Sequence, residues 1–236
     1  YIAFACNAGN MKTNLEQGKI SAFLTIEEGG VLDGNIENLY KVYDRGVRLI
    51  TLTWNYPNSI GYPNSQWLYQ SNGLTEFGYD VVREMNRLGM LIDVSHLSDQ
   101  GFYDVARVSA KPFVASHSNA RVITNHSRNL SDEMIRLLAE KGGITGLNFC
   151  NEFLGISEIS RVEDMVRHIK HIVNTGGIDV MALGSDFDGI SPQLEVEHFG
   201  QMGKLVQALE QSGFSTGDIE KICYKNAVRL IQDTLG

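Results

Sequence analysis

Short apolar runs alternate along this chain with longer stretches of helical period. Strand-length runs occupy 20–26, 47–53, 90–94, 112–116, 143–149 and 180–183, each bounded by polar or turn residues. Between them, Phe77, Val81, Val82, Met85 and Leu88 share one face of a helix predicted over 75–88. Comparable stripes run over 36–43, 102–108, 134–138, 162–173 and 205–209, and a last helix carries Ile219, Ile222, Ala227, Leu230 and Ile231 on one side. Ser131 before Asp132 and Glu133 places a capping oxygen and negative charge at a helix start, while Gly46, Gly89 and Gly142 each close a helix just ahead of a strand. Strands alternating with helices mean parallel βαβ units. The unbroken apolar run through Met90, Leu91 and Ile92 reads as a strand buried on both faces.

Six such units are visible, and two architectures accommodate them: an open doubly wound sheet and a (β/α)₈ barrel. A doubly wound nucleotide binder needs a glycine-rich phosphate loop after its first strand; the pair Gly29 and Gly30 lacks the third glycine and the lysine. A barrel instead gathers polar and titratable residues at the C-terminal ends of its strands. Here those ends read Glu27 and Glu28, Trp54 and Asn55, His96, His117, Asn148, then Asp186 and Asp188. The reading is therefore α/β, a TIM-type (β/α)₈ barrel of the metal-dependent hydrolase kind, with 1–236 as one domain. The longest connection, 55–73, holds two Pro-Asn turns and several aromatics, and reads either as a lid or pocket wall or as a structured surface loop.

Composition narrows the function. Of 236 residues, 43% are hydrophobic and 20% charged, the balance of an ordinary globular protein, and no run of about 18 apolar residues would span a membrane. A net charge of −8 without any basic stripe argues against nucleic-acid binding and for a solvated acidic surface. Cys6, Cys150 and Cys223 are too few and too scattered for a disulfide framework or a zinc knuckle, which points to a reducing, cytoplasmic setting. The chain opens at Tyr1 without an initiator methionine or the regions of a signal peptide, so sequence upstream is expected.

The candidate chemistry centres on two of the six histidines, which end consecutive strands in Asp93-Val94-Ser95-His96 and Ala115-Ser116-His117-Ser118. Two imidazoles and a carboxylate supply three ligands and leave a fourth position for water, as in a catalytic zinc site, where zinc lowers the pKa of that water to about 7. A lone strand-end histidine is otherwise a hydrogen-bonded structural residue. Asp186, in Gly184-Ser185-Asp186-Phe187-Asp188-Gly189, suits a general base and proton shuttle, or simply an Asp turn closing the last strand. Arg128, between a strand and a helix start, could clamp a carboxylate through two parallel hydrogen bonds, or be a plain surface arginine. His126, His168, His171 and His198 sit in loop or helical contexts and read as structural or solvated.

The strings LTIEEGG (24–30), GVRLITLTWN (46–55), GLTEFGYDVVREMNRLGMLIDVSH (73–96), KPFVASHSNAR (111–121), RNLSDE (128–133) and GSDFDG (184–189) run in collinear order, and together the chain resembles the membrane (renal) dipeptidase family, peptidase family M19. The resemblance implies a barrel holding two zinc ions, hydrolysis of dipeptides by a metal-bound hydroxide, often with a D-residue at the C-terminal position, and a homodimer. It assigns Glu27 as the bridging ligand, with Glu28 the alternative one residue away, and His96 and His117 as the histidines of the second zinc site. Asp186 matches the aspartate that handles the catalytic water, and Arg128 the arginine that binds the substrate's terminal carboxylate.

Two departures from the family pattern stand out. Trp54 occupies the place of a histidine that contacts the substrate carbonyl, and an indole can donate one hydrogen bond but cannot titrate. The first zinc site needs a His-x-Asp on the first barrel strand, and the 26 residues before Glu27 contain no histidine. The first two βα units of the pattern are thus expected to be missing, leaving an open seam to be covered by another segment or subunit. The leading expectation is a zinc dipeptidase. The alternatives are a truncated pseudoenzyme or partner subunit, and another metal-dependent hydrolase such as a lactonase or phosphoesterase.

Overall fold

The computed structural model describes residues 1–191 and 193–236. The chain forms two compact units, 1–114 with 228–236, and 115–227.

The first unit opens with strand β1 (Ile2–Phe4), helix α1 (Ala8–Glu16) and strand β2 (Ile20–Ala22), the two strands pairing in parallel. There follow β3 (Leu24–Glu27), α2 (Ile36–Asp44), β4 (Val47–Thr51), α3 (Glu76–Leu88), β5 (Leu91–Asp93) and α4 (Asp99–Val108). Strand β6 (Val114–Ala115) lies where one unit passes into the other. The second unit contains α5 (Asp132–Glu140), β7 (Ile144–Leu147), α6 (Asn151–Leu154), β8 (Ile159–Ser160), α7 (Val162–Gly176), β9 (Met181–Leu183), β10 (Gln193–Leu194), α8 (Gly203–Gln211) and α9 (Thr216–Glu220). A π-helical turn, Lys221–Lys225, leads into α10 (Asn226–Leu235). Six strands form one sheet in the order β3-β4-β5-β6-β7-β9, and β8 pairs in parallel with β10.

The periodic stripes explain this outcome. On α3, Val81, Val82 and Met85 are fully buried, and on α7 so are Met165, Ile169 and Ile172. Burying each such side chain is worth about 1.5–3 kcal/mol. Strands β5 and β7 are buried along their whole length, as their continuous apolar runs require. The Ser131 and Gly89 caps fall where the sequence placed them: the Ser131 hydroxyl accepts from the N–H of Met134, and Gly89 ends α3 with φ +70°. The structure adds a cap at the start of α3, where the Thr75 hydroxyl accepts from the N–H of Gly78.

One predicted strand is divided. The apolar run 20–26 serves two sheets: Ile20, Ser21 and Ala22 pair with Ile2, Ala3 and Phe4, while Leu24 onward pairs with β4, with an irregular step between Leu24 and Thr25. Periodicity alone cannot show that neighbouring residues of one run take different partners. Four of the remaining strands are shorter than their apolar runs because the last residues leave the ladder, whereas β9 keeps Leu183 and loses Val180 to the turn before it. Thr53, Val94, Ser116 and Phe149 all lie beyond their strands, on the way to the candidate site. Among the described residues no helix is long and apolar enough to cross a membrane.

Candidate metal centre

Glu27 is the last residue of β3, His96 lies three residues beyond β5, and His117 two beyond β6. Their side chains form one group of potential metal ligands, with ligand atoms all within 4.8 Å of one another. His96 Nε2 stands 3.1 Å from Glu27 Oε1. Two ligands of a tetrahedral zinc, at bonds of about 2.0–2.1 Å, lie about 3.3 Å apart, so this spacing fits a shared ion as well as it fits a hydrogen bond. Both histidines are more than nine-tenths buried, whereas the Glu27 side chain is 46% exposed. The donor set, two imidazoles and a carboxylate, suits zinc and leaves room for further ligands.

Each ligand is held by its own surroundings. The carbonyl of His96 accepts from the Thr53 hydroxyl (3.0 Å) and from the N–H of Asn64 (2.8 Å), while Asn64 Nδ2 donates to the carbonyl of Ser95 (3.1 Å). Asn64 belongs to the long 55–73 connection, whose inner part is buried at Ile60, Gly61, Pro63 and Asn64. That loop is a structured brace for the His96 turn. Beneath it, the wholly buried Asp93 accepts from Thr51 Oγ1 (2.6 Å) and from the N–H and hydroxyl of Ser95. At His117, Nδ1 lies 2.7 Å from Ser116 Oγ, a contact that orients the ring.

Glu28 points elsewhere. Its carboxylate accepts from the N–H of Gly30 (2.6 Å) and from Asn58 Nδ2 (2.7 Å), and Asn58 Nδ2 also donates to the carbonyl of Leu52. These bonds help hold Glu28 at φ +136°, a conformation an L-residue adopts only when its surroundings impose it.

Asp186, half-buried after β9, sits at φ +61°, and its Oδ2 accepts from Asn148 Nδ2 at 3.1 Å. Arg128 is 6% exposed, with its guanidinium 5.4 Å from the centre of the Phe153 ring and Nη2 3.5 Å from the carbonyl of His117. It is therefore no ordinary surface arginine. Trp54 is 43% exposed, its ring centre 6.5 Å from that of His96. Of the other histidines, His168 is fully buried, accepting from the N–H of Ala120 at Nδ1 and meeting the carbonyl of Leu154 at Nε2; burial holds its pKa down at about 4. His126 is likewise pushed down, chiefly by burial and then by Arg128, whose N–H it accepts. His171 pairs with Asp132, and His198 caps a short turn.

The sequence pattern of the Membrane dipeptidase (Peptidase family M19) family matches residues 1–235. The chain belongs to peptidase family M19. Among its M19 relatives in sequence is an uncharacterized protein in the pqqA 5' region of Klebsiella pneumoniae, 33% identical over 237 residues, which span 96% of this chain and 87% of the relative. In structure, the chain superposes on the dipeptidase AC, a metallopeptidase of family M19, with a TM-score of 0.92 and 29% identity, over 100% of this chain and 72% of that one. It also matches a metallopeptidase from Rhodobacter sphaeroides liganded with a phosphinate mimic of the dipeptide L-Ala-D-Ala, with a TM-score of 0.91 and 29% identity, over 99% and 69% of the two chains. The α/β fold expected from the sequence is thus the fold of M19 dipeptidases, over a chain shorter than those solved.

Several buried asparagines around the candidate residues carry no sequence signal of their own. Asn64, Asn119, Asn129 and Asn148 are all buried, and three of them hold strand-end backbone or the Asp186 carboxylate. Asn148 stood out only as a polar residue at a strand end. An asparagine between apolar residues reads first as a turn former.

Proposed function

We propose that this M19 chain is a zinc-dependent dipeptidase that hydrolyses the amide bond of a dipeptide bearing a free terminal carboxylate. The observation that carries the reading is the Glu27, His96 and His117 group in a member of a metallopeptidase family. Glu27, His96 and His117 would hold the zinc, each through one ligand atom. When bound, zinc supplies the Lewis acidity that makes water a competent nucleophile near neutral pH. Asp186 takes the proton from the attacking water on a carboxylate oxygen and returns it to the nitrogen of the departing amine. Arg128, braced on Phe153, receives the substrate's terminal carboxylate in its guanidinium fork, which fixes the direction in which the dipeptide lies. Trp54 contributes an apolar wall and at most one hydrogen bond from its indole N–H. The dipeptide mimic bound by the Rhodobacter sphaeroides relative supports the substrate class.

The test is hydrolysis of a small panel of L,L- and L,D-dipeptides, followed before and after chelation and again after zinc is restored. The reading requires turnover that chelation abolishes and zinc recovers, and that is lost when the substrate's carboxylate is amidated. Turnover of esters or lactones but of no dipeptide would overturn it.

A further inference from the structure

The half of the site around Asp186 contains a run of buried amides to which the chemistry above assigns no task. Asn119, Asn129 and Asn148 are each at most 1% exposed. Asn129 Oδ1 accepts from the N–H of Asn119 (3.3 Å), and its Nδ2 donates to the carbonyls of Thr124 and Phe153 (2.9 Å each). Asn119 grips Asn148 twice: its Oδ1 accepts from the N–H of Asn148 (2.8 Å), and its Nδ2 donates to the carbonyl of Asn148 (2.9 Å). The Asn148 side chain then reaches Asp186 Oδ2 at 3.1 Å.

The orientation of that last amide is fixed by chemistry. Asn148 Oδ1 accepts from the N–H of Cys150 at 2.7 Å, and an N–H cannot be satisfied by an NH₂ group. The NH₂ must therefore face Asp186, which can only accept while it is ionised. Its second reach, 3.5 Å to the carbonyl of His117, is long, and it sets the same NH₂ beside the backbone of a candidate ligand. Leaving such a buried group unpaired would be costly, so the amide and the carboxylate constrain each other. Asp186 needs that constraint, because its backbone sits in the left-handed region on a chain segment made of short turns.

We infer that Asn148 is the positioning residue for Asp186: its NH₂ holds Oδ2, and the amide run through Asn119 and Asn129 carries that hold to the turn bearing Arg128. The base and the carboxylate-reading arginine are then registered against each other by side chains that touch no substrate. This inference rests on the reading of Asp186 as the base, and the experiment separates the two.

Asn148→Ala and Asn148→Asp are made alone and in an Asp186→Ala background, and kcat, KM, zinc content and thermal midpoint are measured on a dipeptide. Asn148→Asp keeps the oxygen that accepts from Cys150 and sets an acceptor in place of the donor against Asp186 Oδ2, while Asn148→Ala removes both ends; the thermal midpoint reports what each costs in folding. The expected result is a fall in kcat of about 10- to 100-fold for either variant, the usual reach of a partner that orients a reacting group, with KM within about twofold and zinc content unchanged. In the Asp186→Ala background neither substitution should reduce the residual rate further, because Asn148 acts through Asp186. If Asp186→Ala abolishes turnover while Asn148→Asp retains the parent kcat, the positioning role is overturned and the base assignment stands. An equal further loss in the Asp186→Ala background overturns it as well, by showing a general structural role. If Asp186→Ala itself leaves kcat intact, the base assignment fails and the inference falls with it.

Discussion

His96 Nε2 lies 3.1 Å from Glu27 Oε1, although the two residues follow strands separated in the sheet by β4. The approach is a consequence of parallel strands ending at one edge, and of the way each residue is supplied: Glu27 as the last position of its strand, His96 from a turn clamped by Thr53 and Asn64. The neighbouring Glu28 is turned away, and its Oε1 accepts from both Gly30 and Asn58.

That contrast makes a direct prediction. Glu27→Gln should weaken zinc binding by at least about 100-fold, since a neutral amide replaces an anionic ligand, while Glu28→Gln should leave zinc affinity within about twofold. Competition with a chromophoric chelator measures both. Loss of affinity in Glu28→Gln with Glu27→Gln unaffected would mean that Glu28, not Glu27, is the ligand.

Arg128 sets a second expectation. Each charge-assisted hydrogen bond to a substrate carboxylate is worth about 1.5–3 kcal/mol, so Arg128→Ala, which removes two, should raise KM for dipeptides by about 100-fold or more. Steady-state kinetics on a dipeptide and on its amidated form would show it: the parent should discriminate strongly between them, and the variant should not.

His168 predicts an acid-sensitive fold. Its pKa in the folded protein is about 4, against an ordinary value of 6.5, because burial disfavours the charged ring. Between those values the unfolded chain binds a proton that the folded chain does not, so stability rises with pH across that window and is lost as pH falls through it. The loss between pH 7 and pH 5 comes to about 2 kcal/mol. Urea unfolding at the two pH values, repeated on His168→Gln, measures it; the variant should be less stable at pH 7 yet show a smaller fall on acidification.

Much of this fold was readable in one dimension, and the reasons are physical. The α3 stripe of Val81, Val82 and Met85 has the helical period because one face must be buried, and Thr75 and Gly89 mark its ends because backbone groups there need an acceptor or a positive φ. Glu27, His96, His117 and Asp186 stand out as titratable residues at strand ends, Arg128 as a loop arginine before a helix start, and all five by resemblance to a family. Other features depend on partners chosen in space. The run 20–26 divides between two sheets because Ile2–Phe4 folds beside its first half, and nothing in its own periodicity says so. The asparagines behind Asp186 were silent for the same reason, since an amide's role is set by what faces each of its ends.

Close approach between strands gives a stability prediction in the second unit. A Cβ built on Gly184 or on Gly146 would overlap the carbonyl oxygen of Ser116, which is backbone and cannot swing aside. Gly184→Ala should therefore destabilise by about 3 kcal/mol or more, through displaced strands. Gly213→Ala is the control, since a Cβ there meets nothing and only its φ of +91° resists; the loss should be nearer about 1 kcal/mol. Chemical denaturation midpoints decide between them.

The claim on which the rest depends is that Glu27, His96 and His117 share one zinc ion. Crystals grown with zinc and measured on both sides of its absorption edge would locate the ion directly. A shared ion requires an anomalous peak within bonding distance, about 2.0–2.2 Å, of a Glu27 oxygen and of one nitrogen each from His96 and His117. A zinc peak elsewhere, with these three side chains left uncoordinated, would contradict it.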